Sequence, residues 1–147
     1  MLEITENNQV FDPNGSYPFM MKYSDVCAVL GIKDMHFYKL LKKNKFVYVR
    51  VNGSDRIPSA MLAAYILEGP DFKRSDDFIL ECYRESLCTF PKLMTLKEVC
   101  DYLNISKSTI KRMVADNSIK TGRNHNSVKL YVKKDDLIDY LMSNTIK

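Results

Sequence analysis

The chain has 147 residues, 46% of them hydrophobic, and a net charge of +4, enough material for one ordinary domain or two small ones. No apolar run approaches the ~18 residues that span a membrane, and the N-terminus lacks a charged-then-apolar signal segment, so a cytoplasmic protein with no membrane partner is expected. Acid pairs, nucleophile–base sets and phosphate loops are missing, and the only histidines are His36 and His125, so a non-enzymatic protein without a cofactor is expected.

Residues 1–19 carry −3 and read as an arm with a turn at Asp12-Pro13-Asn14-Gly15. Residues 20–69 carry +4 and read as a first module. Its first helix is predicted from about Ser24 to Leu30, followed by a turn at Gly31-Ile32 and a second helix from about Lys33 to Asn44. Lys22 stands where a capping hydroxyl would, so no capping box is expected there. A hairpin wing follows: Phe46 to Val51, the tight turn Asn52-Gly53-Ser54-Asp55, then Arg56-Ile57. Pro58 and Ser59 start a closing helix, because proline is tolerated at a helix's first positions.

Residues 70–91 carry −2 and read as a connector helix. Ser75 can cap it, with Asp76 and Asp77 in the first turn. Phe78, Ile79, Cys82, Tyr83 and Leu87 form one apolar stripe, expected to pack between the modules and set their spacing. Dimerisation through that stripe is the alternative.

Residues 92–147 carry +5 and read as a second module. Thr95-Leu96-Lys97-Glu98 has capping-box spacing, so a helix starts at about Leu96. Leu96, Val99, Cys100 and Leu103 lie on one helical stripe. Asn104 suits a left-handed turn, which Ile105 plugs. Ser106 can cap a second helix running to about Asp116, with Ile110, Met113 and Val114 inward. Two short helices joined so tightly form a helix-turn-helix. A wing is expected next: a strand over Ile119-Lys120-Thr121, a polar loop from Gly122 to Ser127, and a strand from Val128 to Val132. Lys134 to Met142 closes the module, with Leu137, Tyr140 and Leu141 inward.

The two modules share one pattern. Tyr23, Val26, Cys27 and Leu30 recur 73 residues later as Leu96, Val99, Cys100 and Leu103. Phe37, Leu40 and Leu41 recur as Ile110, Met113 and Val114; Leu62, Tyr65 and Ile66 recur as Leu137, Tyr140 and Leu141. The expected fold is mainly α with small β wings: two tandem winged helix-turn-helix modules joined by a helical connector. Cys27 and Cys100 fall on equivalent apolar faces and read as small core residues. Cys82 and Cys88 lack metal-ligand spacing, so no zinc site is expected.

The segments MTLKEVCDYLNISKSTIKRMV and KLYVKKDDLIDYL of the second module resemble the winged helix-turn-helix of excisionase-type and MerR-like DNA-binding domains. RIPSAMLAAYI of the first resembles the end of the same domains. The resemblance implies double-stranded DNA as partner, with the second helix of each module in the major groove. In the second module that helix presents Ser106, Lys107, Ser108, Thr109, Lys111 and Arg112: hydroxyls and cations without an acid. Arg123 and His125 in the wing are candidates for the backbone or the minor groove. Lys120 and Lys129 are generic backbone candidates.

The first module offers Lys33, His36, Lys39, Lys43, Arg50 and Arg56, with Lys42 and Lys45 adding positive charge. Its second helix is less DNA-like: it also carries Asp34, which repels phosphate, and Met35 and Tyr38, which are apolar enough to meet protein, so a degenerate copy used for protein contact is the competing reading. If both modules read DNA, successive major-groove sites about one turn, roughly 34 Å, apart would suit them.

Three functions fit these features. The first is an excisionase-like recombination directionality factor of a mobile element, acting with a recombinase or integrase, or with a second copy of the chain. The second is a transcriptional regulator, or a plasmid or phage replication or partition protein. The third is a protein-interaction adaptor with a degenerate helix-turn-helix.

Overall fold

A computed structural model describes residues 3–4, 10–11, 17–43, 46–72, 74–123 and 129–147. The expected turn at residues 12–15, Lys45 and the wing loop with His125 lie outside them. The chain divides into two units: residues 1–75 with 145–147, and residues 76–144. The fold is mainly helical with small antiparallel sheets. None of the described helices is long and apolar enough to cross a membrane.

In the first unit, β1 (Glu3–Ile4) and β2 (Val10–Phe11) pair antiparallel. The sequence reading had no strands in this arm. Then come β3 (Met20–Met21), α1 (Tyr23–Leu30), α2 (Asp34–Lys42), β4 (Tyr48–Val51), β5 (Ser54–Pro58) and α3 (Ser59–Glu68). The start of α1 corrects one expectation. Half a capping box is present, because the Asp25 carboxylate accepts from the Lys22 amide at 3.1 Å. The reciprocal half is missing because the lysine side chain has no acceptor. The β4–β5 hairpin forms as its sequence dictates. Asn52 and Gly53 sit at φ 48° and 82°, the two left-handed positions of a tight hairpin turn. Val51 therefore faces Ser54 directly. β3 pairs with β5, Met20 opposite Pro58. At two residues it is too short for alternation to reveal.

The core of this unit is a row of rings. Tyr23 meets Phe37 edge-on at 5.2 Å, Phe37 meets Phe46 at 5.1 Å, and Phe46 lies against Tyr65 at 4.3 Å. Met21, Val26, Val29, Leu41, Ile57 and Leu62 fill the space around them. Tyr65 and Ile66, read as inward, are only partly buried.

The second unit begins with α4 (Asp76–Ser86), followed by β6 (Leu93–Thr95), α5 (Leu96–Leu103), α6 (Lys107–Ala115), β7 (Gly122–Arg123), β8 (Leu130–Lys133) and α7 (Lys134–Ser143). The apolar stripe of α4 is already covered within the chain: Ile79, Cys82, Tyr83 and Leu87 are buried, and Phe78 partly so. α4 packs against α7. The Ser86 hydroxyl shares a 2.6 Å hydrogen bond with Tyr102 of α5. Lys134, at the start of α7, donates to the carbonyls of Leu87 and Phe90 at 3.0 and 2.8 Å and so satisfies the end of α4.

The wing of this unit departs from the sequence reading. The strand expected over Ile119-Lys120-Thr121 lies three residues later, at Gly122–Arg123. The residues in between are used by a turn after α6. Asn117 takes φ 59°, the Ser118 amide donates to the Met113 carbonyl at 2.9 Å, and the Ile119 side chain is buried as a plug. Tyr140 is half-buried, and Ile138 takes a place in the core beside Leu137 and Leu141.

From β3 to α3 and from β6 to α7 the order is the same, strand, helix, helix, strand, strand, helix, and β3 pairs with β5 as β6 pairs with β8. The sheets run β3-β5-β4 and β6-β8-β7. The chain ends in β9 (Thr145–Ile146), which pairs with β4 and adds a fourth strand to the first unit's sheet.

Candidate nucleic-acid interface

α5 of the second unit starts in a complete capping box. Thr95 Oγ1 accepts from the Glu98 amide at 3.1 Å, and Glu98 Oε1 accepts from the Thr95 amide at 2.9 Å. The helix stops at Asn104, in the left-handed conformation, where the Ile105 amide donates back to the Cys100 carbonyl at 3.1 Å. This tight stop fixes where α6 begins.

Ser106 caps α6: its Oγ accepts from the Thr109 amide at 3.2 Å. It also shares hydrogen bonds with the hydroxyls of Ser108 at 3.0 Å and Thr109 at 2.9 Å. Arg112 Nη2 reaches back to Thr109 Oγ1 at 3.5 Å. Three hydroxyls and a guanidinium thus gather over the exposed amide end of the helix. Lys107, Ser108, Lys111 and Arg112 are exposed, while Ile110 and Met113 anchor the opposite face. The carboxylate of Asp116, at the far end, is occupied by the hydroxyl and amide of Ser118, which hold its carboxyl below the usual range. Positive charge and hydroxyl donors therefore dominate the first two turns, where a helix N-terminus favours anions.

Beside the wing lies a groove of about 580 Å³, lined by Leu93, Lys120, Thr121, Gly122, Arg123, Tyr131, Lys133 and Asp136. It brings together the expected candidates Lys120 and Arg123 and adds Lys133 and Thr121. Lys133 could have been found from β8 itself: Tyr131 and Lys133 alternate with buried Val132 and so share the groove face. Arg123, expected in a loop, is a strand residue opposite Leu130. Lys129 is exposed just before β8. His125 lies outside the described residues.

In the first unit, α2 occupies the place that α6 holds in the second. Gly31 closes α1 as Asn104 closes α5, and the Ile32 amide donates to the Cys27 carbonyl at 3.1 Å. Lys33, His36, Lys39, Lys42 and Lys43 are exposed along α2. Asp34 is exposed in the first turn of α2; burial, with the Asp34 carboxylate adding to it, pushes the Cys27 thiol up to about 11. Arg50 and Arg56 have partners within the wing. Arg50 Nε pairs with Asp55 Oδ1 at 2.9 Å, and Arg56 Nη1 donates to the Asp55 carbonyl at 3.0 Å. Tyr23 completes this hub by donating to Asp55 Oδ2 at 2.5 Å. The sequence reading assigned Asp55 to a turn and missed its role, because its partners lie on three different elements.

Burial raises the thiols of Cys27, Cys82 and Cys100 above their ordinary value. Among the described residues no cluster of His, Cys, Asp and Glu is placed to hold a metal ion.

Residues 93–145 match the family described as a helix-turn-helix domain. The match covers the capping box, both helices of the turn, the wing strands and α7. It supports DNA binding by the second unit. No curated protein and no solved structure matched the chain.

Proposed function

We propose that the chain is a sequence-specific double-stranded DNA-binding protein in which both units serve as winged helix-turn-helix modules. It acts by binding rather than by catalysis. The observation that carries this reading is the face of α6. Ser106, Ser108 and Thr109 supply hydroxyls, and Lys107, Lys111 and Arg112 supply cations, at the start of the second helix of a matched helix-turn-helix domain. Such a face can hold phosphates through Ser106 and the helix amides while Lys111 and Arg112 reach guanine edges. The wing cations Lys120, Arg123 and Lys133 would meet the adjacent backbone. The shared element order and sheet order of the two units support the use of the first unit in the same way.

Within that class we favour an excisionase-like directionality factor of a mobile element. The support is the resemblance of the second unit's helices and wing to that type, and α4, the helix added to this module, has its apolar stripe covered within the chain. The decisive experiment has two stages. Binding of the whole protein to duplex DNA is measured across a salt series, where affinity should fall steeply as salt rises. The protein is then added to an integrase reaction on DNA from its own locus. A shift from integration to excision products supports the recombination role. Salt-insensitive or undetectable binding would remove DNA as the partner.

A further inference from the structure

The second helix of the first unit breaks the polar pattern of its counterpart at two places. Met35 is 76% exposed and Tyr38 is 52% exposed, among the few large hydrophobic side chains that the described residues leave in solvent. They stand where α6 has Ser108 and Lys111. With Lys39 and Lys42 they form one outward stripe, spaced three, four and seven positions from Met35. The inward face is separate and complete, with Phe37 and Leu41 buried.

We propose that Met35 and Tyr38 read thymine methyl groups in the major groove, so that the first unit selects thymine-bearing sites; this rests on the DNA reading above. The C5 methyl of thymine is the one apolar feature of a base edge in that groove. An apolar pair on a recognition helix has no other base group to match. The charge around the pair selects DNA over an apolar protein surface. Lys33, Lys39, Lys42 and Lys43 are all exposed on or beside α2, and the Lys42 ammonium sits 4.8 Å from the centre of the Tyr38 ring. A protein partner docking on Met35 and Tyr38 would have to desolvate that ammonium. A phosphate backbone flanking the groove would instead pair with it. The nearby acid, Asp34, is exposed in the first turn of α2, one acid among these four lysines.

The test uses the whole wild-type protein and a duplex that it selects from a random-sequence pool. The duplex is resynthesised with deoxyuridine replacing thymidine one position at a time, which removes only the methyl. Affinity should fall about fourfold at each thymine the first unit contacts, the factor expected for burying one methyl-sized group. The same substitutions should have no effect on Met35→Ala/Tyr38→Ala, whose helix content circular dichroism should find unchanged because both side chains are exposed. If no uracil substitution weakens wild-type binding, or if the weakening survives intact in the double variant, the methyl reading is overturned while DNA binding stands. If the wild type binds no duplex in a salt-dependent way, the DNA reading falls and this inference falls with it. The uracil series needs no variant, so its outcome does not depend on how a variant folds.

Discussion

Gly31 and Asn104 hold the same left-handed backbone at the same point of the two units, φ 67°, ψ 35° in one and φ 57°, ψ 51° in the other. After each comes an isoleucine whose amide donates to a cysteine carbonyl in the preceding helix, at 3.1 Å in both. Asparagine and glycine are the two residues that enter this conformation at low cost. The turn between the helices therefore sets the second helix of each unit in place through backbone conformation as well as packing.

Gly31→Ala should destabilise the first unit by about 1 kcal/mol, because an added Cβ is disfavoured at positive φ. Asn104→Gly should change the second unit by only a few tenths, roughly the difference between two tolerated residues. Urea titrations of the two variants would measure this. A neutral Gly31→Ala would show that the turn relaxes without strain.

Lys111→Ala with Arg112→Ala should weaken duplex binding by about tenfold or more. The slope of log K against log salt should become shallower by about one unit for each phosphate that the variant no longer neutralises. Both side chains are exposed, so the urea midpoint should stay within error. Unchanged affinity and slope would take α6 out of the interface.

Lys134→Met should behave in the opposite way. Its ammonium satisfies the carbonyls of Leu87 and Phe90. Losing these bonds should cost about 1–3 kcal/mol of stability and leave the salt slope unchanged. A change of slope with normal stability would place Lys134 on the DNA instead.

Alkaline pH should destabilise the protein. Burial, with Glu85 and Glu81 adding to it, pushes the Cys82 thiol from its ordinary 9.0 to about 11, and Cys27 shifts by a similar amount. The native thiols keep their protons at a pH where the unfolded chain releases them. The unfolded state then binds fewer protons, so stability falls as pH rises. The thiols' part of the fall should run from about 9 to about 11 and be absent below it, and Tyr23 and Tyr102, also raised by burial, should carry the loss on to higher pH. Cys82→Ala should flatten part of it in urea titrations across that range. An identical pH profile in the variant would locate the alkaline loss elsewhere.

The features legible in the residues alone were those made within a few positions of one chain segment. The Thr95–Glu98 box, the Ser106 cap, the Asn52-Gly53 turn and the stops at Gly31 and Asn104 each need a particular residue type at a fixed short spacing. The inward stripes of α1, α2, α5 and α6 were readable for the same reason, and with them came the candidate face of α6. Tertiary structure alone decided the rest. It moved the wing strand from Ile119 to Gly122, tied Arg50, Arg56 and Tyr23 to Asp55, and covered the stripe of α4 within the chain. It also brought β9 from the far end of the chain to pair with β4. Strand pairing uses backbone groups that nearly every residue carries, so a two-residue strand leaves no mark of its partner in the sequence. Caps and stripes use side chains, and those are what a sequence spells out.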